Sequence, residues 1–300
     1  MTVIPALPLS DGHSIPQLGT GVWQIPNDRT GAVVASAIET GYRLLDGAYI
    51  YENEAGLGEG VRLSGLPREE LFITTKVWNA DQGHDEARAS VARSLETMGL
   101  DYLDLVLIHW PCPGKGRYVE TWEALIEMQS EGLMRSIGVS NFNPDHLDRI
   151  IDATGVKPVL NQIEVNPKMA NRALRAANAA RGVLTQGWTP LGEGKTFDFP
   201  QIADICTRTG KSPTQVTLRW HMQLGHSTVP RATDPAHQRE NLDIFDFALT
   251  DDEGNFEIKG LPPGNYEISF LHERPDMTCA PATISVEAGK AASLTAQFTR

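Results

Sequence analysis

The chain has 300 residues, of which 41% are hydrophobic and 21% charged, a composition typical of a globular protein rather than a disordered or fibrous one. Its formal net charge of −12 disfavours general binding to nucleic acid or to anionic membranes, because both attract basic surfaces. The three cysteines form no CxxC pair and no long apolar run occurs, so we expect no disulfide framework, no metal site, no membrane span and a cytoplasmic location.

The first predicted element is a hairpin over residues 5–18 that turns at Asp11-Gly12. From there to about residue 233, short β-branched runs alternate with longer amphipathic stretches, which is the pattern of repeated βα units. The amphipathic stretches keep helical spacing, as Val91, Leu95 and Met98 do. The predicted strands of this region are Leu18–Trp23, Arg43–Ala48, Leu71–Thr75, Leu103–His109, Ser136–Ser140, Val159–Val165, Val183–Trp188 and Ser227–Pro230.

Eight strands separated by helices favour an α/β fold of the closed (β/α)8 TIM-barrel type over an open doubly wound sheet, with the hairpin as a plug beneath the barrel. After residue 250 the pattern changes to β only. We therefore predict two domains, a barrel over residues 1–250 and an atypical β segment over residues 251–300. The strands predicted in this tail are Phe256–Ile258, Tyr266–Phe270, Thr283–Val286 and Ser293–Phe298.

Polar or aromatic side chains follow seven successive predicted strands at the point where each strand ends. A barrel enzyme builds its active site from these positions, because the carboxyl ends of all its strands meet on one face. One such residue alone is typical of a solvated strand end, but a series of seven predicts a site. The residues of this series are Asp46, Lys76, His109, Ser140 with Asn141, Gln162, Trp188 and Arg231.

Two motifs around the second strand, GYRLLD at residues 41–46 and IYENE at residues 50–54, resemble the aldo-keto reductase signature GYRxxDTAxxYxNE. Further landmarks of that family follow in order: ITTKVW at 73–78, LIHWP at 107–111, GVSNF at 138–142, NQIE at 161–164 and PLG at 190–192. The resemblance covers residues 1 to about 250 and is strongest to the bacterial branch of 2,5-diketo-gluconate and glyoxal reductases.

The resemblance implies that Tyr51, Asp46, Lys76 and His109 are the catalytic residues of a carbonyl reduction. Tyr51 would donate a proton to the carbonyl oxygen, although a phenol with a pKa of about 10 is a weak acid. The Lys76 charge, worth about 4 kcal/mol at roughly 4 Å, is expected to lower that pKa towards neutrality. Asp46 would keep Lys76 charged and oriented, and a neutral His109 would donate a hydrogen bond to the carbonyl oxygen.

The same resemblance implies a nicotinamide cofactor, NADPH or NADH. Ser140, Asn141 and Gln162 would hold its carboxamide, and Trp188 would stack on its ring. The diphosphate would pass along residues 191–194, which include Leu191, Gly192 and Gly194. The glycines at 56, 58 and 60 lie in a predicted helix rather than in a strand-to-helix turn, so we interpret them as packing residues and not as a Rossmann phosphate loop.

The adenosine end departs from the family, where a Lys-Ser pair and a later arginine commonly bind the 2′-phosphate. Arg231, Ala232 and His237 stand at these positions, and Asp234 would repel a phosphate. Glu240 and Asn241 do match the family's adenine contacts. We therefore hypothesise that the protein uses both cofactors or favours NADH.

Four aromatic residues, Trp23, Tyr49, Trp78 and Trp110, are expected to form a rim around a compact carbonyl substrate, although aromatic residues at these positions also suit a core. Tyr49 and Gly47 depart from the family, which has a small residue and a threonine there respectively. The expected function is the reduction of small aldehydes or ketones, such as dicarbonyls and keto sugars. The alternative is a catalytically weak nicotinamide-binding or regulatory barrel.

That alternative arises because the family continues after residue 253 with a helix and a loop over the substrate pocket, whereas residues 252–266 resemble part of a carboxypeptidase-regulatory or transthyretin-like β-sandwich. We interpret the tail as a fusion. It is expected to pack on the barrel or on another copy of the chain, which leaves a monomer or a weak oligomer open. It either leaves the substrate pocket more open or is a passive appendage.

Overall fold

The computed structural model describes residues 4–250, 264–268 and 282–286. Its first element is the expected hairpin, in which strand β1 (Ala6–Pro8) pairs antiparallel with strand β2 (Ser14–Pro16). The Ser136 hydroxyl donates to Asp11 Oδ2 at 2.7 Å and so attaches the hairpin turn to a barrel strand. Ile15 is fully buried and packs in one apolar cluster with barrel residues such as Leu44 and Leu105. The hairpin therefore closes one end of the barrel.

Within residues 4–250, eight parallel strands follow, each hydrogen-bonded to the next in chain order. The first and last strands meet, because Gly19 N donates to the carbonyl of Thr228 and Thr228 N donates to the carbonyl of Gln17, both at 2.9 Å. The predicted closed barrel is confirmed. Its strands are β3 (Thr20–Gly21), β4 (Leu44–Asp46), β5 (Phe72–Val77), β6 (Leu103–Ile108), β7 (Met134–Ser140), β8 (Leu160–Glu164), β9 (Leu184–Trp188) and β10 (Ser227–Thr228).

The two strands at the seam of the barrel, β3 and β10, are shorter than the sequence predicts. Pro230 has no N–H to donate, so the ladder on that side cannot continue beyond it in the regular pattern. Its carbonyl still accepts a hydrogen bond from Gly21 N at 3.1 Å. A few backbone hydrogen bonds therefore hold the seam of the barrel together.

Amphipathic helices pack around the barrel. The predicted face of Val91, Leu95 and Met98 is buried as expected, and Ser212 caps its helix by accepting from Gln215 N at 3.3 Å. None of the helices in residues 4–250 is long and apolar enough to cross a membrane. They are α1 (Asn27–Thr40), α2 (Glu54–Ser64), α3 (His84–Met98), α4 (Tyr118–Ser130), α5 (Pro144–Thr154), α6 (Arg172–Ala180), α7 (Pro200–Thr209), α8 (Pro213–Gln223) and α9 (Pro235–Leu242).

The glycines of α2 allow this helix to lie close to its two neighbours. A Cβ atom at Gly56 would lie within 3 Å of the Asn27 carbonyl in α1, and one at Gly58 would meet the Met98 carbonyl at the end of α3. Their interpretation as packing residues is confirmed. Real Cβ atoms essentially never approach backbone this closely, so only glycine fits.

The chain divides into two compact units, Met1–Leu249 and Thr250–Arg300. In the second unit, strands β11 (Gly264–Ile268) and β12 (Ala282–Val286) pair antiparallel with Tyr266 opposite Ile284. They overlap two of the four predicted tail strands, although β11 begins two residues earlier than the predicted Tyr266–Phe270. The other two, at 256–258 and 293–298, lie outside the described residues, as does most of the tail whose docking the sequence leaves open.

Candidate active site

The polar residues at the strand ends converge on one cavity of about 510 Å³ at the carboxyl face of the barrel. Strands β4 to β9 and the loops after them bring together most residues of the predicted catalytic and nicotinamide-binding groups. This is the geometry expected of a barrel enzyme. The predicted residues that line the cavity are Trp23, Asp46, Tyr51, Trp78, His109, Trp110, Ser140, Asn141, Gln162, Trp188, Leu191 and Arg231.

A buried ion pair lies beneath the cavity. Lys76, at the end of β5, is 1% exposed, and its Nζ donates to Asp46 Oδ2 at 2.7 Å and to the Gly47 carbonyl at 2.8 Å. Burial acts to lower the pKa of Lys76, but the Asp46 carboxylate and the Tyr51 phenol outweigh it, so that the pKa is raised. The Lys76 side chain therefore remains charged at neutral pH.

Tyr51 lies in a short 3₁₀ turn, Tyr49–Tyr51, and places its hydroxyl 3.4 Å from Lys76 Nζ. Its pKa is raised above the usual value of 10, because burial of the phenol outweighs the lowering by Lys76, and the Asp46 charge raises it further. The expectation that Lys76 brings this pKa towards neutrality is therefore wrong. Tyr51 carries its proton at neutral pH, and Lys76 reduces the cost of losing it.

His109 follows β6 and lies beside Tyr51, with the two ring centroids 5.8 Å apart, and it packs edge-on against Trp78 at 5.0 Å. Burial, together with the nearby Lys76 charge, lowers the pKa of His109 to about 3. The ring is therefore neutral at neutral pH, as the sequence interpretation requires. Among the described residues, its Nδ1 is buried without a hydrogen-bond partner.

The four residues predicted to hold the nicotinamide are linked to one another. Ser140 Oγ donates to the Gln162 carbonyl at 2.8 Å, and Asn141 Nδ2 donates to Ser140 Oγ and to the His109 carbonyl, each at 3.0 Å. Asn141 has a left-handed backbone with φ of +62° and accepts a hydrogen bond from Trp188 Nε1 at 3.0 Å. The strained backbone and these bonds orient the Trp188 indole at the cavity wall.

The loop after β9 carries the residues predicted to pass the diphosphate. Leu191 lines the cavity, while Gly192 and Gly194 have left-handed φ values of +55° and +77° on either side of Glu193, which also lines it. Glycine suits both positions because it lacks the steric penalty of a Cβ atom there. The loop thus borders the cavity, and its contact with a diphosphate stays a prediction.

The residues assigned to the adenosine end do not all meet at the cavity. Arg231 lines it and donates to Gln24 Oε1 at 2.8 Å. Glu240 instead accepts from the Ser212 hydroxyl, and Asn241 is buried against the Tyr42 hydroxyl. His237 is exposed on α9, and their roles at an adenosine remain predictions.

Three of the four predicted rim residues line the cavity. Trp23 and Trp110 are 48% and 41% exposed, so both present apolar surface to an incoming molecule. The prediction that Tyr49 belongs to this rim is wrong. Its ring lies against the Arg93 guanidinium of α3 at 4.1 Å and outside the cavity lining of the described residues. The 3₁₀ turn directs Tyr49 towards α3 and leaves its neighbour Ile50 at the cavity.

The strand-end rule does not identify every lining residue. Gln24, Ile50, Thr189 and Glu193 also line the cavity, and each lies in a loop or a short 3₁₀ turn beyond the end of a strand. Gln24, Thr189 and Glu193 have positive φ, and their residue types do not predict this backbone conformation. Their side chains reach the cavity through the course of the loops, which a strand pattern does not predict.

The fold and the site define an oxidoreductase built on a TIM barrel. The chain belongs to the aldo/keto reductase family, because residues 16–256 match the model of that family. It is therefore a nicotinamide-dependent enzyme that acts on carbonyl compounds.

Similar proteins agree with this membership. The chain is 46% identical over 247 residues to the methylglyoxal reductase DkgA of Escherichia coli strain K12, covering 82% of this chain and 89% of that protein. It is 45% identical over 246 residues to an aldo-keto reductase of Mycolicibacterium smegmatis, covering 82% and 90% of the two chains.

Solved structures show the same barrel. The crystal structure of an aldo/keto reductase from Brucella melitensis superimposes with a TM-score of 0.81 at 44% identity, covering 84% of this chain and 97% of that one. A mutant of Gox0644 in complex with NADPH superimposes with a TM-score of 0.81 at 43% identity, covering 84% and 91%.

Proposed function

We propose that this protein reduces small aldehydes and ketones, dicarbonyls and keto sugars among them, with Tyr51 as the proton donor. The observation that supports this most strongly is the arrangement of Tyr51, Lys76 and Asp46 at one wall of the cavity, with a neutral His109 beside the phenol. A protonated phenol next to a buried ammonium is suited to releasing its proton only when a more basic oxygen forms nearby.

The residues present fit a nicotinamide. Trp188 offers a flat aromatic wall held by Asn141, and Gln162 lines the cavity with its amide nitrogen engaged inwards. Its amide oxygen remains as an acceptor for the carboxamide N–H. Ser140 and Asn141 lie beside it. When bound, the reduced cofactor supplies the hydride that forms the new C–H bond of the alcohol.

The residues of the chain handle the oxygen of the substrate. His109 would donate to the carbonyl oxygen and orient it, and the Tyr51 hydroxyl would give its proton to that oxygen as it gains negative charge. The phenolate that remains is stabilised by the Lys76 ammonium, which Asp46 holds in place. One hydride and one proton are thus added across the C=O bond, and a proton from solvent restores Tyr51.

The walls of the cavity support a compact substrate with apolar surface. Trp23, Trp78 and Trp110 line the cavity together with Ile50. The similar DkgA of Escherichia coli is named a methylglyoxal reductase, and methylglyoxal is a small dicarbonyl compound. We therefore place small 2-ketoaldehydes first among candidate substrates.

The charges near α9 support a proposal about the cofactor preference. Asp234 caps this helix by accepting from Ala236 N at 2.7 Å, so a carboxylate stands at the helix start where a 2′-phosphate would gain from the positive helix end. We propose that NADH is used at least as well as NADPH. A kcat/KM for NADPH that clearly exceeds the value for NADH would contradict this.

The test of the proposed function is a cofactor-consumption assay with small dicarbonyls and sugar ketones, run with NADPH and with NADH. Tyr51→Phe is expected to lower kcat by about 10²–10⁴-fold, because general acid catalysis contributes about that much. Tyr118→Phe is the matched control, since Tyr118 packs against Phe142 and His146 outside the cavity lining. A Tyr51→Phe protein as fast as the parent would show that the mechanism is wrong.

The same assay separates a working reductase from the alternative of a nicotinamide-binding or regulatory barrel. Both are expected to bind the cofactor, which a titration of tryptophan fluorescence measures, because Trp188 lies at the cavity wall. Binding without cofactor consumption across the whole substrate panel would favour the alternative.

A further inference from the structure

A line of buried polar side chains crosses the barrel interior below the cavity. Gln162 Nε2 donates to Asp46 Oδ1 at 2.8 Å and to Gln186 Oε1 at 2.7 Å. Gln186 Nε2 donates to Ser227 Oγ at 3.1 Å, and Ser227 Oγ donates to the Pro16 carbonyl at 3.1 Å. Gln186 and Ser227 are fully buried. The line therefore joins the catalytic carboxylate to the hairpin through strands β8, β9 and β10.

The chemistry at the two ends sets the direction of every hydrogen bond. The Asp46 carboxylate, which accepts from Lys76 Nζ at 2.7 Å, and the Pro16 carbonyl are acceptors only. Ser227 must then donate to Pro16, and Gln186 must present its nitrogen to Ser227 and its oxygen to Gln162. Both amide hydrogens of Gln162 are used within the protein. Its Oε1 is the one polar atom of the side chain left for a ligand in the cavity.

We propose that Gln186 is a positioning residue for the cofactor site, which rests on the function proposed above. By accepting one N–H of Gln162, Gln186 holds the amide in the orientation that turns Oε1 to the cavity and the second N–H to Asp46. The Gln162 amide thus connects the proposed binding position of the nicotinamide carboxamide with the Asp46 carboxylate, which orients Lys76. Gln186 itself is absent from the cavity lining of the described residues.

Loss of the Gln186 acceptor leaves a buried N–H of Gln162 without a partner. The amide is then held only by its bond to Asp46, so it turns more freely about that bond, and Oε1 is no longer fixed towards the cavity as an acceptor for the carboxamide N–H₂. The affinity for the cofactor is expected to fall while the substrate rim, made of Trp23, Trp78 and Trp110, is unaffected.

The experiment compares Gln186→Met with Gln186→Glu in the full-length protein. The readouts are the Kd of NADH and of NADPH, measured by tryptophan fluorescence without substrate, and the melting temperature without cofactor. Gln186→Met is expected to weaken binding of the preferred cofactor about tenfold. Gln186→Glu is expected to restore binding to within about threefold of the parent, because burial favours the neutral acid, whose C=O accepts and whose O–H donates as the glutamine does.

Asn178→Leu is the matched control. Asn178 is a fully buried amide that accepts from Asn161 Nδ2 and donates to Thr185 Oγ1, both at 3.1 Å, and so also joins β8 to β9, but outside the cavity lining. It is expected to lower the melting temperature and leave the cofactor Kd unchanged. An equal rise in Kd for Asn178→Leu and Gln186→Met would overturn the proposal, since a general loss of stability would then explain both.

If Gln186→Met does not fold, Ser227→Ala provides the second test. It removes the acceptor of Gln186 Nε2 and is expected to weaken cofactor binding about threefold; an unchanged Kd would overturn the proposal. If the parent protein binds and consumes the cofactor and Gln186→Met has the same Kd as the parent, only the positioning role is contradicted. A parent protein that binds neither cofactor contradicts the proposed function and, with it, this inference.

Discussion

The protonation of Tyr51 depends on three neighbours whose effects differ in sign. Burial and the Asp46 charge raise the pKa of the phenol, while the Lys76 charge at 3.4 Å lowers it, and burial has the largest effect. The sequence names Lys76 as the partner but contains no measure of desolvation. For this reason the direction of the pKa change predicted from charge alone is reversed in the folded protein.

The indole N–H of Trp188 is expected to contribute to cofactor binding by orienting the ring. Trp188→Phe keeps a flat ring but removes the N–H that donates to Asn141 Oδ1 at 3.0 Å. A lost hydrogen bond of about 1 kcal/mol corresponds to a roughly fivefold rise in the cofactor Kd, measured by isothermal titration calorimetry. Trp220→Phe is the control, since Trp220 packs against His221 outside the cavity lining. An unchanged Kd for Trp188→Phe would mean that the indole N–H does not orient the ring.

At the scale of elements, the predicted order of strands and helices in the first unit agrees with the structure, because hydrophobic periodicity depends on residues close in the chain. The 3₁₀ turn Tyr49–Tyr51 is different, since its direction depends on what it packs against. The Tyr49 ring packs against Arg93 of α3, and Ile50 lines the cavity instead. A contact over more than forty residues of chain decides which of two neighbours faces the substrate.

The close packing of α2 leads to a second prediction. Gly58→Ala places a methyl group against the rigid Met98 carbonyl, so we expect a loss of about 1–3 kcal/mol in the free energy of unfolding, despite the higher helix propensity of alanine. Urea denaturation followed by circular dichroism measures it. Gly114→Ala is the control, because a Cβ atom there meets nothing within 4 Å. Equal midpoints for the two variants would show that α2 moves away without cost.

At the scale of the whole molecule, histidines whose pKa is lowered by burial couple stability to pH. Burial lowers the pKa of His109 and His226 to about 3 and that of His221 to about 4. Because the unfolded chain binds these protons at a pKa of about 6.5, the unfolded state holds more protons between that pH and the folded pKa. Stability is therefore lost as the pH falls from about 6.5. Glu54, whose pKa burial raises, acts in the opposite direction.

His226→Gln isolates one of these contributions. Glutamine keeps an acceptor for Arg175 Nε, which donates to His226 Nε2 at 3.0 Å, but it does not titrate. The free energy of unfolding of this variant is expected to fall less steeply between pH 6.5 and 4.5, by about 1 kcal/mol per pH unit. Denaturant titrations at several pH values measure the slope. Parallel slopes for the variant and the parent would contradict the lowered pKa of His226.

The barrel, its hairpin and the residues that end its strands could be predicted from the order of amino acids alone. Each follows from short-range periodicity, and parallel strands in a closed barrel necessarily bring their carboxyl ends to one face. Three further properties follow only from the folded chain: the protonated state of Tyr51, the turn of Tyr49 away from the cavity and the orientation of the Gln162 amide through Gln186. Each of these depends on burial or hydrogen bonds between residues distant in the chain, which no local pattern records.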